Sequence, residues 1–312
     1  FVGAAVIRTP GALRLTRPRL SAQTRRLLLT AGPVLAVSGA AQVMILASTQ
    51  VASFTPGAVS WLYYADRLLQ FPLGFVAVAV GVVLLPEIAA RAAAGDHDGL
   101  RTALNRTLEA AFALSLPAAA ALALLAEPLC RVLFERGAFG PADTRQTALV
   151  LQGLAPGLLA AVAGKVMAQL YFARHRVGQA LAAAGAGVAA TLAAGALLSA
   201  WFGSAGLGLG VSAGLTVHAA LMAGTAAAQG AWRPDARLVR RFLRAGLAAA
   251  VMTGALALLL PVLGSAGSTV GQAAGLGLLC AAGLGVYALA AAAFGAVTRE
   301  DLARLRGAPP GA

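Results

Sequence analysis

Apolar runs of roughly twenty residues follow one another along this chain, separated by short segments where arginine, glycine and proline gather. Read between those breaks, eight spans emerge, at about 27–52, 66–88, 107–126, 147–171, 178–201, 206–230, 243–263 and 270–294. Each is long enough to cross a hydrocarbon core of roughly 30 Å as a helix. A backbone facing lipid must satisfy its own hydrogen bonds, so the runs predict helices and exclude an open sheet. The pattern thus predicts an all-α, polytopic membrane helix bundle with eight transmembrane helices. No soluble domain is left over.

The polar positions between the spans are not evenly shared. Counting Lys and Arg on alternate sides places 19 of the 24 basic residues on one side and only Arg131, Arg136 and Arg145 on the other, where Glu127, Glu135 and Asp143 offset them. Short basic connections mark the cytoplasmic side. Both ends of the chain are therefore expected in the cytoplasm, which requires an even number of spans. The stretch Arg233 to Arg244 (RPDARLVRRFLR) reads as a short amphipathic helix at the interface. The Ala- and Gly-rich later spans, such as Ala180 to Ala196, read as surfaces for close helix packing in lipid. No internal repeat is visible.

Composition agrees with the pattern. At 59% hydrophobic and 11% charged residues, with a mean hydropathy of +0.80, the chain lies far from the roughly 25% charge of soluble domains. A net charge of +13 could suggest nucleic acid, but the arginines sit where membrane orientation needs them, and anionic inner-leaflet lipids are the expected partners. Cys130 and Cys280 are far apart and suggest neither a disulfide framework nor a metal knuckle. His97, His175 and His218 lack a second ligand one helical turn away. With no phosphate-binding glycine loop, nucleophile elbow or acidic cluster either, no metal, cofactor or catalysis is expected. The chain opens at Phe1 without a signal-peptide pattern, and an N-terminal portion lying upstream is the expectation.

Charges near apolar runs are costly, roughly 2.5–3.5 kcal/mol at a bilayer centre, and are functional candidates for that reason. Asp66 and Arg67 stand at the mouth of the run that ends at Leu84-Leu85-Pro86-Glu87. Two readings fit them. Arg67 reaches the outer interface beside an aromatic belt of Trp61, Tyr63 and Tyr64, or it lines a water-filled cavity and binds an anionic group, with Asp66 holding or neutralising it. Pro72, Gly74 and Pro86 favour a bent helix, as where transporters bind substrate. Lys165, the one lysine, lies inside the fourth span, either pointing into the bundle or snorkelling to the cytoplasmic side. Gln42, Gln50 and Gln169 suit hydrogen bonds between helices.

The segment Val59 to Ala89, VSWLYYADRLLQFPLGFVAVAVGVVLLPEIA, resembles the signature of the MurJ/MviN lipid II flippases, within the multidrug/oligosaccharidyl-lipid/polysaccharide exporter superfamily. Gly32-Pro33, Gly95-Asp-His-Asp98, Leu129 to Gly137 (LCRVLFERG) with Phe139, and Lys165-Val166 ahead of Tyr171 extend the resemblance over nearly the whole chain. It implies a fourteen-helix protein of the bacterial inner membrane, with two six-helix lobes around a cavity and two final helices beside a lipid-tail groove. On that frame, 1–26 is the end of a preceding helix and a basic linker, and 27–230 the second six-helix lobe. Residues 231–242 are an interfacial linker, 243–294 the terminal pair and 295–312 a cytoplasmic tail. The first lobe, with several cavity arginines, would be the missing partner of this fragment, which should not flip substrate alone.

The resemblance also implies an activity: moving lipid II, the undecaprenyl-diphosphate-linked disaccharide pentapeptide of peptidoglycan synthesis, from the inner to the outer leaflet by alternating access. It assigns Arg67 to the diphosphate and Ser60 to the cavity, while Gln70 stands where some relatives have glutamate. Arg67, Asp66, Ser60, Gln70 and Lys165 are the expected substrate-contact residues. Sodium coupling is not expected, because the first and fifth spans hold no Asp, Glu or Asn. Another polysaccharide-lipid or drug exporter of the superfamily is the nearest alternative. A polyprenyl-diphosphate enzyme would need an acidic metal motif, and a non-transporting scaffold would leave Arg67 merely interfacial.

Overall fold

A computed structural model describes residues 22–83, 94–263 and 269–296, together with Ile88, Ala90 and Arg91. These residues form eleven helices: α1 Ala22–Ser38, α2 Ala40–Ala52, α3 Ala58–Val83, α4 His97–Leu124, α5 Ala126–Phe134, α6 Pro141–Leu154, α7 Gly157–Ala173, α8 Val177–Phe202, α9 Ser204–Ala228, α10 Ala236–Leu263 and α11 Thr269–Ala293. No strand occurs among the described residues. The basic residues up to Arg19, the Leu84 to Glu87 end of the second run, and Arg299, Arg304 and Arg306 of the expected tail lie outside them.

Five helices, α4, α8, α9, α10 and α11, are each long and apolar enough to cross a membrane. Two bent pairs add a span apiece if each is one crossing: α1–α2, bent by 64°, and α6–α7, bent by 44°. The first and fourth apolar runs are thus broken rather than straight. At the second break, Ser212 of α9 explains the bend. Its Oγ–H donates to the Gly153 carbonyl at 2.6 Å, and the same oxygen accepts the Gly157 N–H at 3.0 Å. Those two backbone groups would otherwise bond each other along the helix, so the hydroxyl opens the ladder and satisfies both ends.

Other boundaries also differ from the apolar pattern. α3 begins at Ala58, eight residues before Asp66, so the acid–base pair lies two turns inside a helix that continues through Pro72 to Val83. α4 begins at His97, where the Asp96 carboxylate accepts the Gly99 N–H at 2.8 Å. α5 is an additional short amphipathic helix with Glu127 and Arg131 on its polar side. The basic stretch expected as a separate interfacial helix forms the first turns of α10 instead. Asp235 caps it by accepting the Leu238 N–H at 2.7 Å, and no proline interrupts the helix before Pro261.

Small residues bring these helices close together. Where α6 crosses α9, a Cβ on Gly208 would lie 2.9 Å from the Gly153 carbonyl carbon, so the two backbones touch directly. Lipid supplies no hydrophobic drive between helices, and such contact is what holds them. The main apolar core runs through α2, α3, α4 and α6 to α9. A second core docks α10 and α11 on α4 through Leu125, Ala248, Met252, Leu256, Leu279 and Tyr287, with the Tyr287 hydroxyl donating to the Ala113 carbonyl at 2.6 Å.

Polar bonds tie the basic end of this second unit to α4. Asn105 accepts the Trp232 indole N–H at 2.8 Å and donates to the Arg233 carbonyl at 3.1 Å. One turn on, buried Glu109 is surrounded by Arg106, Arg237 and Arg241, the last two at 3.4 Å, while Arg106 also pairs with Asp235. A carboxylate this buried is tolerated because cations from two segments face it.

Candidate functional site

The candidate residues depend on how α3 divides its surface. Ala58, Leu62, Ala65, Leu69, Leu73 and Val76 recur at helical spacing and are buried against the bundle. Ser60, Tyr63, Arg67, Phe71 and Phe75 form the opposite, exposed stripe. Asp66, next to Arg67 in sequence, is rotated about 100° around the helix and is buried on the core side.

This rotation separates the acid from the base. Gln70, one turn on, donates its side-chain N–H to the Asp66 carboxylate. Arg67 instead lays its guanidinium over the Tyr63 ring, with Cζ 4.8 Å from the centroid. Among the described residues no carboxylate forms a direct ion pair with Arg67, although neighbouring Asp66 still interacts with it through space. Ser60 lies two turns earlier on the same stripe, also exposed. Lys165 is exposed on α7, beside Gly164, which packs on the buried His218 of α9, and has no ion-pair partner among the described residues. The structure therefore unites Ser60 with Arg67, and Asp66 with Gln70, and places Lys165 on a different helix.

The N-terminal end of α3 is held by contacts that the sequence does not reveal. The Trp61 indole N–H donates to Asp143 Oδ1 at 2.8 Å, while Asp143 Oδ2 accepts the Gly140 N–H at 3.1 Å and caps α6. Tyr64 packs against Phe134 and Phe139, with ring centroids at 4.8 and 5.0 Å. Gly57, at φ +83°, leaves room for the indole, since a Cβ there would lie 2.8 Å from the Trp61 ring. Trp61 and Tyr64 thus face the α5–α6 hairpin, and Tyr63 alone of the three is exposed. Pro141 and Asp143 after Gly140 signal a helix start in the sequence, but their bond to Trp61, 82 residues away, does not show there.

The match to known proteins spans these elements. A family model described as lipid II flippase MurJ matches residues 4–293. The chain belongs to the lipid II flippase MurJ family. A probable lipid II flippase MurJ of Rhizobium meliloti (strain 1021) is 38% identical over 240 residues, covering 77% of this chain and 45% of the relative. Its counterpart in Rhizobium tropici is 33% identical over 306 residues, covering 96% of this chain and 57% of the relative. The chain thus spans about half the length of these MurJ relatives.

A solved lipid II flippase MurJ, in an inward closed conformation, superposes with a TM-score of 0.69 at 19% identity, over 91% of this chain and 57% of that one. The fold is shared. With several helices able to span a bilayer, this MurJ-family chain is an integral membrane protein. The signature read from Val59 lies on α3 as far as Val83, and the exposed stripe of that helix carries its arginine.

Proposed function

We propose that this chain forms the second lobe and terminal helix pair of a lipid II flippase, which moves the undecaprenyl-diphosphate-linked peptidoglycan precursor from the inner to the outer leaflet by alternating access. The protein is a transporter and not an enzyme. The observation that carries this reading is the exposed stripe of α3, where Arg67 presents a cation with no carboxylate partner in a chain of the MurJ family. Arg67 contacts the diphosphate through charge-assisted hydrogen bonds, and Ser60 supplies a hydroxyl on the same face. Asp66 is bonded by Gln70 and makes no direct ion pair with Arg67, and Lys165 offers a second cation from α7.

In this reading the eight crossings are α1–α2, α3, α4, α6–α7 and α8 to α11, within a fourteen-helix whole. Residues 27–230 make the lobe and 243–294 the pair, with basic linkers on either side of the lobe. The arginine asymmetry of 19 against 3 supports the bacterial inner membrane with both ends cytoplasmic, where basic connections meet anionic lipid. The first lobe, supplied by sequence outside this chain, completes the cavity, and the two lobes rock about it.

Growth rescue tests the proposal. The full-length gene is placed in cells depleted of their own lipid II flippase, with membrane abundance checked for each variant. Wild type is expected to restore growth and Arg67→Ala to fail at equal abundance. Failure of wild type, or rescue by the alanine variant, would overturn the reading.

A further inference from the structure

We propose that Tyr63 is a positioning residue for Arg67, and that the α5–α6 hairpin sets the ring on which the guanidinium rests. The inference rests on the reading of Arg67 as the diphosphate contact and adds what holds that contact in place. A free arginine side chain samples many rotamers, and binding an anion in one geometry requires most of them to be given up. Tyr63 stands one turn before Arg67 on the exposed stripe, and the face of its ring lies 4.8 Å from the guanidinium carbon. A cation held over a ring face keeps its N–H edges free for hydrogen bonds in the guanidinium plane.

The ring is itself held from behind. Tyr63 and Tyr64 meet edge to face at 5.6 Å and 78°. Tyr64 lies against Phe134 at the end of α5 and Phe139 just before α6, on the two sides of one turn. That turn is bonded to α3 through Asp143 and Trp61. A continuous line of contacts therefore runs from the hairpin through Tyr64 and Tyr63 to Arg67. Phe71 and Phe75 meet edge to face on the same exposed stripe at 5.1 Å, with no cation over either ring among the described residues, so an aromatic pair on this stripe does not of itself require one. Tyr63 is 52% exposed and adds little to the core, which separates a positioning role from a structural one.

The experiment uses the full-length protein in nanodiscs and measures two quantities, lipid II affinity and the thermal unfolding midpoint. Tyr63→Phe keeps the ring face and is expected to bind within about twofold of wild type. Tyr63→Leu and Tyr63→Gln remove it and are expected to weaken binding about 2- to 5-fold, the worth of an exposed cation–π contact, with no shift in midpoint. Arg67→Ala is expected to weaken binding by at least about tenfold, and adding Tyr63→Leu to it should change nothing further.

If both ring-less variants bind like wild type while Arg67→Ala loses affinity, the positioning role is overturned alone. It is equally overturned if Tyr63→Phe loses as much as Tyr63→Leu, since the hydroxyl would then be the contact. A full Tyr63→Leu effect in the Arg67→Ala background, or a lowered midpoint accounting for the loss, has the same consequence. If Arg67→Ala binds like wild type, the reading of Arg67 falls and the proposal with it.

Discussion

Asp143 is one carboxylate with two tasks, because each of its oxygens meets a different donor: the Trp61 indole on α3 and the Gly140 amide at the start of α6. Asp143→Ala removes both bonds and should cost about 1–2 kcal/mol, read as a lowered thermal midpoint of the purified full-length protein. Asp143→Asn keeps an acceptor for one donor and should fall between. At this scale the sequence was legible where chemistry is scarce. Arg67 stood out as a charge beside an apolar run, and Ser60 came with the signature around it. The pairing of Asp66 was not legible, because neighbours in sequence point about 100° apart on a helix, and Gln70 rather than Arg67 is the residue one turn away. Tyr63 and Tyr64 read as an interfacial belt, and only the fold shows that Phe134 and Phe139 stand behind Tyr64.

Among the elements, the membrane made the spans readable and hid their breaks. A run of about twenty apolar residues has one favourable structure in lipid, and the described parts of the apolar runs are helical. The 44° bend between α6 and α7 depends on a hydroxyl from another helix, which no local pattern reports. Ser212→Ala should therefore destabilise the lobe by about 1–3 kcal/mol, leaving the Gly153 carbonyl and Gly157 amide to re-form a helical bond only if the bend straightens. Thermal unfolding of the variant checks this, and an unchanged midpoint would show that the bend does not need the hydroxyl. The start of α3 lies ahead of the apolar run for a related reason. Asp66 and Arg67 look like the polar end of a span, yet the helix extends two turns beyond them, where Trp61 and Tyr64 pack on the α5–α6 hairpin.

Across the whole molecule, two apolar cores meet at α4, and the arginines around Glu109 and Asp235 join them at the basic end. The arginine distribution also predicts an orientation, which can be probed without substrate. In intact cells making the full-length protein, a thiol reagent that cannot cross the membrane should label Ser53→Cys, between α2 and α3. It should reach Arg176→Cys, between α7 and α8, only after permeabilisation; the opposite pattern would invert the topology. Both positions are exposed. Orientation matters to the proposed function, in which the stripe carrying Ser60 and Arg67 meets lipid II on its way between leaflets. The most direct measurement follows lipid II itself, in flippase-depleted cells carrying the full-length gene, as the fraction that an externally added lipid II-cleaving enzyme can reach. Wild type should restore that fraction and Arg67→Ala should leave lipid II protected inside, whereas equal exposure with the alanine variant, or none with wild type, would contradict the assignment of α3 to the path of the diphosphate.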